Sequence, residues 1–207
     1  MVIKLRFKTI SHRLGEYIIQ EEEFANEYEE IIDAISSITE EQIKTTHISK
    51  FSQQKSISKS INFLLKEKLK SLGWIDEAPI FQHKDYLGRK SKYRIDFAKR
   101  NISLEVAFNN DGYTAWNLIK PTLASELNHV EKAVQTKMGI LIMVTQEMKK
   151  KGGFDSTTCT MENTEKYLRI MQNQLTVPMV IIGLEAPHTF RVEHEGKPKR
   201  ATFKDLR

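Results

Sequence analysis

The spacing of apolar and polar positions changes several times along the chain, and each change marks an element. From 2 to 10, "VIKLRFKTI" alternates apolar and basic residues, the period of a half-exposed strand. "EFANEYEEIIDAIS" (23–36) then places Phe24, Tyr28, Ile31, Ile32 and Ile35 on one face of a helix, with acids in its first turns. A second amphipathic helix is expected over "SKSINFLLKEKLKSLGW" (58–74), with a stripe of Ile61, Leu64, Leu65, Leu69 and Leu72 and a stop at Gly73. "SKYRIDFA" and "ISLEVAF" are short strands joined by a turn at "KRN", which is hairpin spacing.

The second half has a different rhythm. "TAWNLIKPTLASELNHVEKAVQT" (114–136) predicts a long helix, with Pro121 marking a start or kink in its first third. "MGILIMVTQ" (138–146) and "VPMVIIGL" (177–184) are continuous apolar runs, as in strands buried on both faces. Between them, "KKKGGFDSTTCT" (149–160) reads as a loop and "MENTEKYLRIMQNQL" (161–175) as a helix. Beyond 185 the tail is punctuated by Pro and Gly, with a candidate strand at "TFRVEH". A hairpin followed by alternating helices and apolar strands argues an α/β fold with a central mixed β-sheet flanked by helices. No repeat or low-complexity linker divides the 207 residues, so a single domain over 1–207 is expected.

Composition narrows the setting. Hydrophobic residues make up 40 % of the chain, enough for a substantial core. Lys plus Arg is 32 against 27 for Asp plus Glu, a net charge of +5 that leans toward polyanionic partners. The charge is unevenly spread. "KDYLGRKSKYRIDFAKR" (84–100), "KKK" (149–151) and "KPKRATFKDLR" are basic, whereas "EEEFANEYEE" is acidic. A solvated basic face is the plainer account of any one of these clusters. The single cysteine, Cys159, excludes an intrachain disulfide and a Cys-rich zinc site, and points to a reducing compartment. No signal-like start is evident, and no apolar run approaches the ~20 residues of a membrane span. A soluble intracellular protein with no membrane association is expected.

Two acids stand out. In "YRIDFAKRNISLEVAF" (93–108), Asp96 and Glu105 sit among Ile, Phe, Leu and Val. A buried unpaired carboxylate is costly. The hairpin turn brings the two acids together, and with the Val106 carbonyl they make a site for a hard divalent cation such as Mg²⁺. Beside a phosphodiester such an ion polarises the phosphoryl oxygen, generates the nucleophile and stabilises the leaving oxygen. The plainer alternative pairs Asp96 with Arg94, Lys99 or Arg100, and Glu105 with another lysine.

The segment "IDFAKRNISLEVAF" resembles the active-site region of the BglII/BstYI group of type II restriction endonucleases, within the PD-(D/E)XK nuclease superfamily. That group has an Ile-Asp-Phe-like strand, a basic turn, then Glu-Val-Gln-Phe at the same step from Asp to Glu. The resemblance extends upstream to "SINFLLKEKLKSLGW" and downstream through "LASELNHV", the run 138–145 and "VPMVIIGL", so it covers about 55–185. It implies a restriction-endonuclease-like core there, with an N-terminal strand and helix and a basic C-terminal tail added. It makes Asp96 and Glu105 metal-binding acids of a Mg²⁺-dependent enzyme of the prokaryotic cytoplasm. Double-stranded DNA is the implied partner, read as a palindrome, and a GATC-centred one by analogy. The implied assembly is a homodimer formed around the helix 114–136.

This chain departs from the group at one position. Where the group has Gln, and the wider superfamily Lys or Glu, it has Ala107, which cannot orient a water. Glu126, Asn109, Asn110 or Lys99 could supply the function, with Glu126 the preferred water-positioning residue. Alternatively the fold binds DNA without cutting it, or a substitution has removed the activity. For DNA contacts, Asn109 and Asn110 suit adenine edges, although "NNDG" also shapes a turn by itself. Lys149, Lys150 and Lys151 suit phosphates, and Asp155, Ser156, Thr157 and Thr158 suit base edges. His47, His83 and His129 do not cluster, and Trp74 and Trp116 read as core. No phosphate-binding Gly loop and no Ser-His-Asp or Cys-His arrangement is evident.

Overall fold

A computed structural model describes residues 2–88, 91–126 and 129–206. Its centre is a six-stranded sheet in the order β1-β6-β5-β4-β3-β2. The strands are β1 (Phe7–His12), β2 (Ile75–Pro79), β3 (Arg94–Lys99), β4 (Ile102–Val106), β5 (Met138–Val144) and β6 (Met179–Leu184). β4, β5 and β6 run parallel, and β1, β2 and β3 are antiparallel to their neighbours. This is the expected mixed α/β architecture. β5 and β6 are buried at every position, which is why they read as unbroken apolar runs.

Alternation along β5 splits the core in two. Ile140, Ile142 and Val144 join a cluster with Ile31 and Ile35 of α2 (Ala25–Ser37), Ile43 of α3 (Glu40–Lys50) and Ile61, Leu65 and Leu69 of α4 (Ser58–Ser71). Leu141 and Met143 join Leu118 of α5 (Thr114–Ser125) and Leu168 of α7 (Met161–Ile170) in another. Two further short α-helices are α1 (Gly15–Ile18) and α6 (Gln146–Lys151), and β7 (Phe190–Glu195) pairs with β8 (Arg200–Asp205) in a separate hairpin. Phe190 and Val192 attach that hairpin to the α2–α4 side of the core.

Several expectations are corrected. The N-terminal strand begins at Phe7 rather than residue 2, with a lone bridge from Lys4 to Thr39 before it. The helix expected to reach 136 ends at Ser125, where Glu126 turns to extended backbone. The residues after it run beside the β2 end, with Gln82 N donating to the Glu131 carbonyl and Ala133 N to the Ile80 carbonyl. Val130 and Val134 kept a helix-like spacing, but they pack around Ile80, Phe81 and Ile95 from an irregular segment. Leu127 and Asn128 of that expected helix lie outside the described residues, as do Arg89 and Lys90 of the basic run. The lysines 149–151 belong to the last turn of α6, not to a loop, because Thr145 caps the Met148 N–H and starts a helix directly after β5. Trp74 is core as expected, whereas Trp116 is half-exposed against Tyr93 and Lys92.

Candidate active site

Strand register brings three acids into one row. β3 and β4 pair through Phe97↔Leu104, Ala98↔Ser103 and Lys99↔Ile102. One step further in that register sets Asp96 opposite Glu105, and there the ladder stops. On the other side, Asp76↔Phe97 and Ala78↔Ile95 set Glu77 opposite Asp96, and that rung is also missing. Glu77 has φ 53°, a left-handed conformation that interrupts the pairing within β2. The carboxylates take over from the lost ladder bonds. Asp96 N donates to Glu105 Oε1 at 3.2 Å, and Val106 N donates to Asp96 Oδ2 at 2.7 Å. Each acid is therefore fixed by the backbone of the strand that carries the other. Glu77 meets Arg94 at 3.6 Å.

Glu105 is almost completely buried and its Oε2 accepts from Lys120 Nζ of α5, which also donates to the Arg94 carbonyl at 3.2 Å. Burial and the neighbouring Asp96 carboxylate push Glu105 up to about 8, against Lys120, which pulls it down. Burial also raises Asp96, opposed by the Val106 N–H and by Lys120. Asp96 borders a cleft of about 270 Å³ lined by Asn62 and Lys66 of α4, Asp76 and Glu77 of β2, Phe97 and Val106. Lys66 bridges to Asp76 at 2.6 Å. Three carboxylates, Asp76, Glu77 and Asp96, thus share the cleft with the Lys66 ammonium.

The donor set fits a hard divalent ion. Asp96 and Glu105 are oxygen donors of the kind such an ion takes, and here both Glu105 oxygens accept hydrogen bonds, from Asp96 N and Lys120 Nζ. Among the described residues no group of three His, Cys, Asp or Glu side chains is arranged to hold a metal. The Val106 carbonyl accepts from Phe108 N at 3.2 Å.

The other sequence candidates are spread out. Glu126 lies past the end of α5, bonded by the Thr176 hydroxyl, and is not among the groups around Asp96 and Glu105. Lys99 binds both oxygens of Glu30, at 2.7 and 2.8 Å, and the Leu72 carbonyl. With Arg100 to Glu27 and Asn101 to Glu23, it ties the basic hairpin turn to α2 and the acidic residues just before it. Asn109 Oδ1 accepts from Asn117, and Asn110 caps the Gly112 N–H, so both shape the turn into α5. Lys149 donates to the Thr158 carbonyl and Lys151 pairs with Glu147, while Lys150 is exposed. Asp155 pairs with Lys55 at 2.5 Å, and Ser156 and Thr157 are exposed on the same loop. Ala107 is buried against Leu118 and Leu141.

Sequence reasoning missed Lys120, Glu77, Asp76, Lys66 and Asn62. Lys120 sits in "NLIKPT" like any helix lysine, and only the docking of α5 brings it to Glu105. Asp76 and Glu77 sit in an edge strand whose acids hid its period, and they carried no signal.

A mixed sheet whose hairpin strands interlock two acids beside a polar cleft is the architecture of a restriction-endonuclease-type nuclease. The structure resembles restriction endonuclease BglII complexed with a DNA 16-mer, with a TM-score of 0.60 at 19% identity, covering 97% of this chain and 100% of that one. It also resembles free BglII, with a TM-score of 0.53 at 16% identity over 95% of this chain and 90% of that one. The family model of the restriction endonuclease BglII/BglIII matches residues 7–184, and the chain belongs to that family. Family and fold together mark it as a type II site-specific deoxyribonuclease. No curated protein sequence matches it.

Proposed function

We propose that the chain is one nuclease domain that acts as a Mg²⁺-dependent homodimer, cutting double-stranded DNA at a short palindrome in the prokaryotic cytoplasm. The interlocked Asp96 and Glu105 carry this reading, because each is held by the opposite strand's N–H and Asp96 lines a polar cleft. When bound there, the ion supplies Lewis-acid polarisation of the phosphate and a charge for the leaving oxygen. Asp96 and Glu105 would hold it. In the hydrolysis, a water oxygen bonds to phosphorus and one ester P–O bond breaks. The proton lost by water balances the one gained by the leaving oxygen.

A two-fold DNA site calls for a two-fold protein, with each subunit cutting one strand. Trp116, Ile119 and Leu123 form a half-buried stripe on α5, and this stripe is the dimer face we favour. The exposed Lys150, Ser156 and Thr157 are the remaining loop candidates for DNA contact, and a GATC-centred palindrome is the sequence to try first.

Digestion of phage genomic DNA with Mg²⁺, followed by end sequencing, tests the proposal. Discrete ends at a palindrome support it, and intact DNA with every divalent ion refutes it. Ala107 favours a second reading, a nuclease fold that binds DNA without cutting. Binding that weakens steeply with salt, without any cleavage, would establish that reading.

A further inference from the structure

We propose that Lys120 supplies, from α5, the site group that β4 lacks at Ala107. The inference rests on the nuclease reading above. In a strand, side chains two apart share a face, so Ala107 lies on the side of Glu105. Ala107 is 1 % exposed and belongs to the same apolar cluster as Leu118 and Leu141, so β4 itself offers no polar group at this position. Lys120 occupies the same side from the helix. Its side chain is 9 % exposed against 2 % for that of Glu105. A lysine this deep is costly unless it is paired and hydrogen-bonded.

Its bonds define where the charge sits. One goes to Glu105 Oε2 on β4 and one to the Arg94 carbonyl on β3, two residues before Asp96. The ammonium therefore spans both acid-bearing strands. An ammonium has three N–H donors, and these are its two bonds among the described residues. A third is left for a water or a phosphoryl oxygen.

The fold enforces this reach. Pro121, the next residue on α5, packs on Gly139 of β5, where an added Cβ would lie 2.6 Å from the Pro121 Cβ. A larger residue at 139 would push the helix off the sheet and draw Lys120 away from Glu105. In the reaction Lys120 donates a hydrogen bond that orients the attacking water.

The test compares the unaltered full chain, Lys120→Met and Lys120→Met/Ala107→Lys. The readouts are single-turnover cleavage of phage duplex DNA in Mg²⁺, Ca²⁺ affinity by calorimetry and thermal melting. Loss of an oriented donor lowers cleavage by about a hundredfold or more. Ca²⁺ affinity stays level or tightens, since a competing cation is gone. The lysine that the double variant carries on β4 recovers at least a tenfold gain in rate over Lys120→Met. Should Lys120→Met fail to fold, Lys120→Arg keeps the charge but alters the reach, and a loss of tenfold or more in a folded protein is expected. Cleavage within threefold of the unaltered chain overturns the inference. So does Ca²⁺ affinity falling in step with cleavage, which would make Lys120 only a prop for Glu105, and so does no recovery in the double variant. If the unaltered chain does not cut, the nuclease reading itself fails and the inference falls with it.

Discussion

Glu105 makes the stability of the metal-free protein depend on pH in an unusual direction. Its carboxyl is raised from 4.5 to about 8 in the folded chain, so the folded state binds the proton more tightly than the unfolded state. The favourable contribution is complete below 4.5 and is lost as pH rises through 8. Between pH 5 and pH 7, integrating that shift gives a loss of about 2–3 kcal/mol. For a domain of this size, such a loss corresponds to roughly 5–10 °C of melting temperature. Surface carboxylates contribute in the opposite direction, so the reference is Glu105→Gln/Lys120→Met, which removes the buried pair together. Thermal melts of both proteins in chelator, from pH 5 to 8, isolate the effect. The unaltered chain should lose stability relative to the reference as pH rises. Parallel curves would show that Glu105 is not held protonated by its surroundings, and would refute the electrostatics described for the site.

Three further outcomes follow from the packing. Glu30→Ala leaves Lys99 and the Trp74 Nε1–H without their shared acceptor and should cost about 1–3 kcal/mol, read by urea denaturation. Gly139→Ala places a methyl against Pro121 and should destabilise by about 1–3 kcal/mol while also slowing cleavage, whereas a neutral effect would contradict the close contact of α5 with β5. Glu77→Gly removes the strain at φ 53° but also a cleft carboxylate. It should raise the melting temperature slightly while weakening Ca²⁺ binding, both measurable on one sample.

The paired acids Asp96 and Glu105 were legible because a carboxylate flanked by apolar residues in a strand pattern has few plain explanations. β5 and β6 were legible because burial on both faces leaves an unbroken apolar run. The acidic stretch before and within α2 was visible as charge, but its partners were not. Only the folded chain shows that Glu23, Glu27 and Glu30 grip the basic turn 99–101. α3 had a readable start in the Thr39–Gln42 capping box, but its sparse buried face, Ile43 and His47, gave little period to read. Lys120 was illegible for a different reason. Its role depends on how closely one helix lies on the sheet, and that distance is set by a Gly–Pro contact between elements far apart in sequence.

The central claim is that Asp96 and Glu105 are the acids of a working nuclease centre. Its most direct test is Mg²⁺-dependent cleavage of phage genomic DNA by the unaltered chain beside Asp96→Ala, with DNA binding measured in Ca²⁺ for both. The account predicts discrete fragments from the unaltered chain, none from Asp96→Ala, and DNA binding by both. Equal cleavage by the two proteins, or none by either, would contradict it.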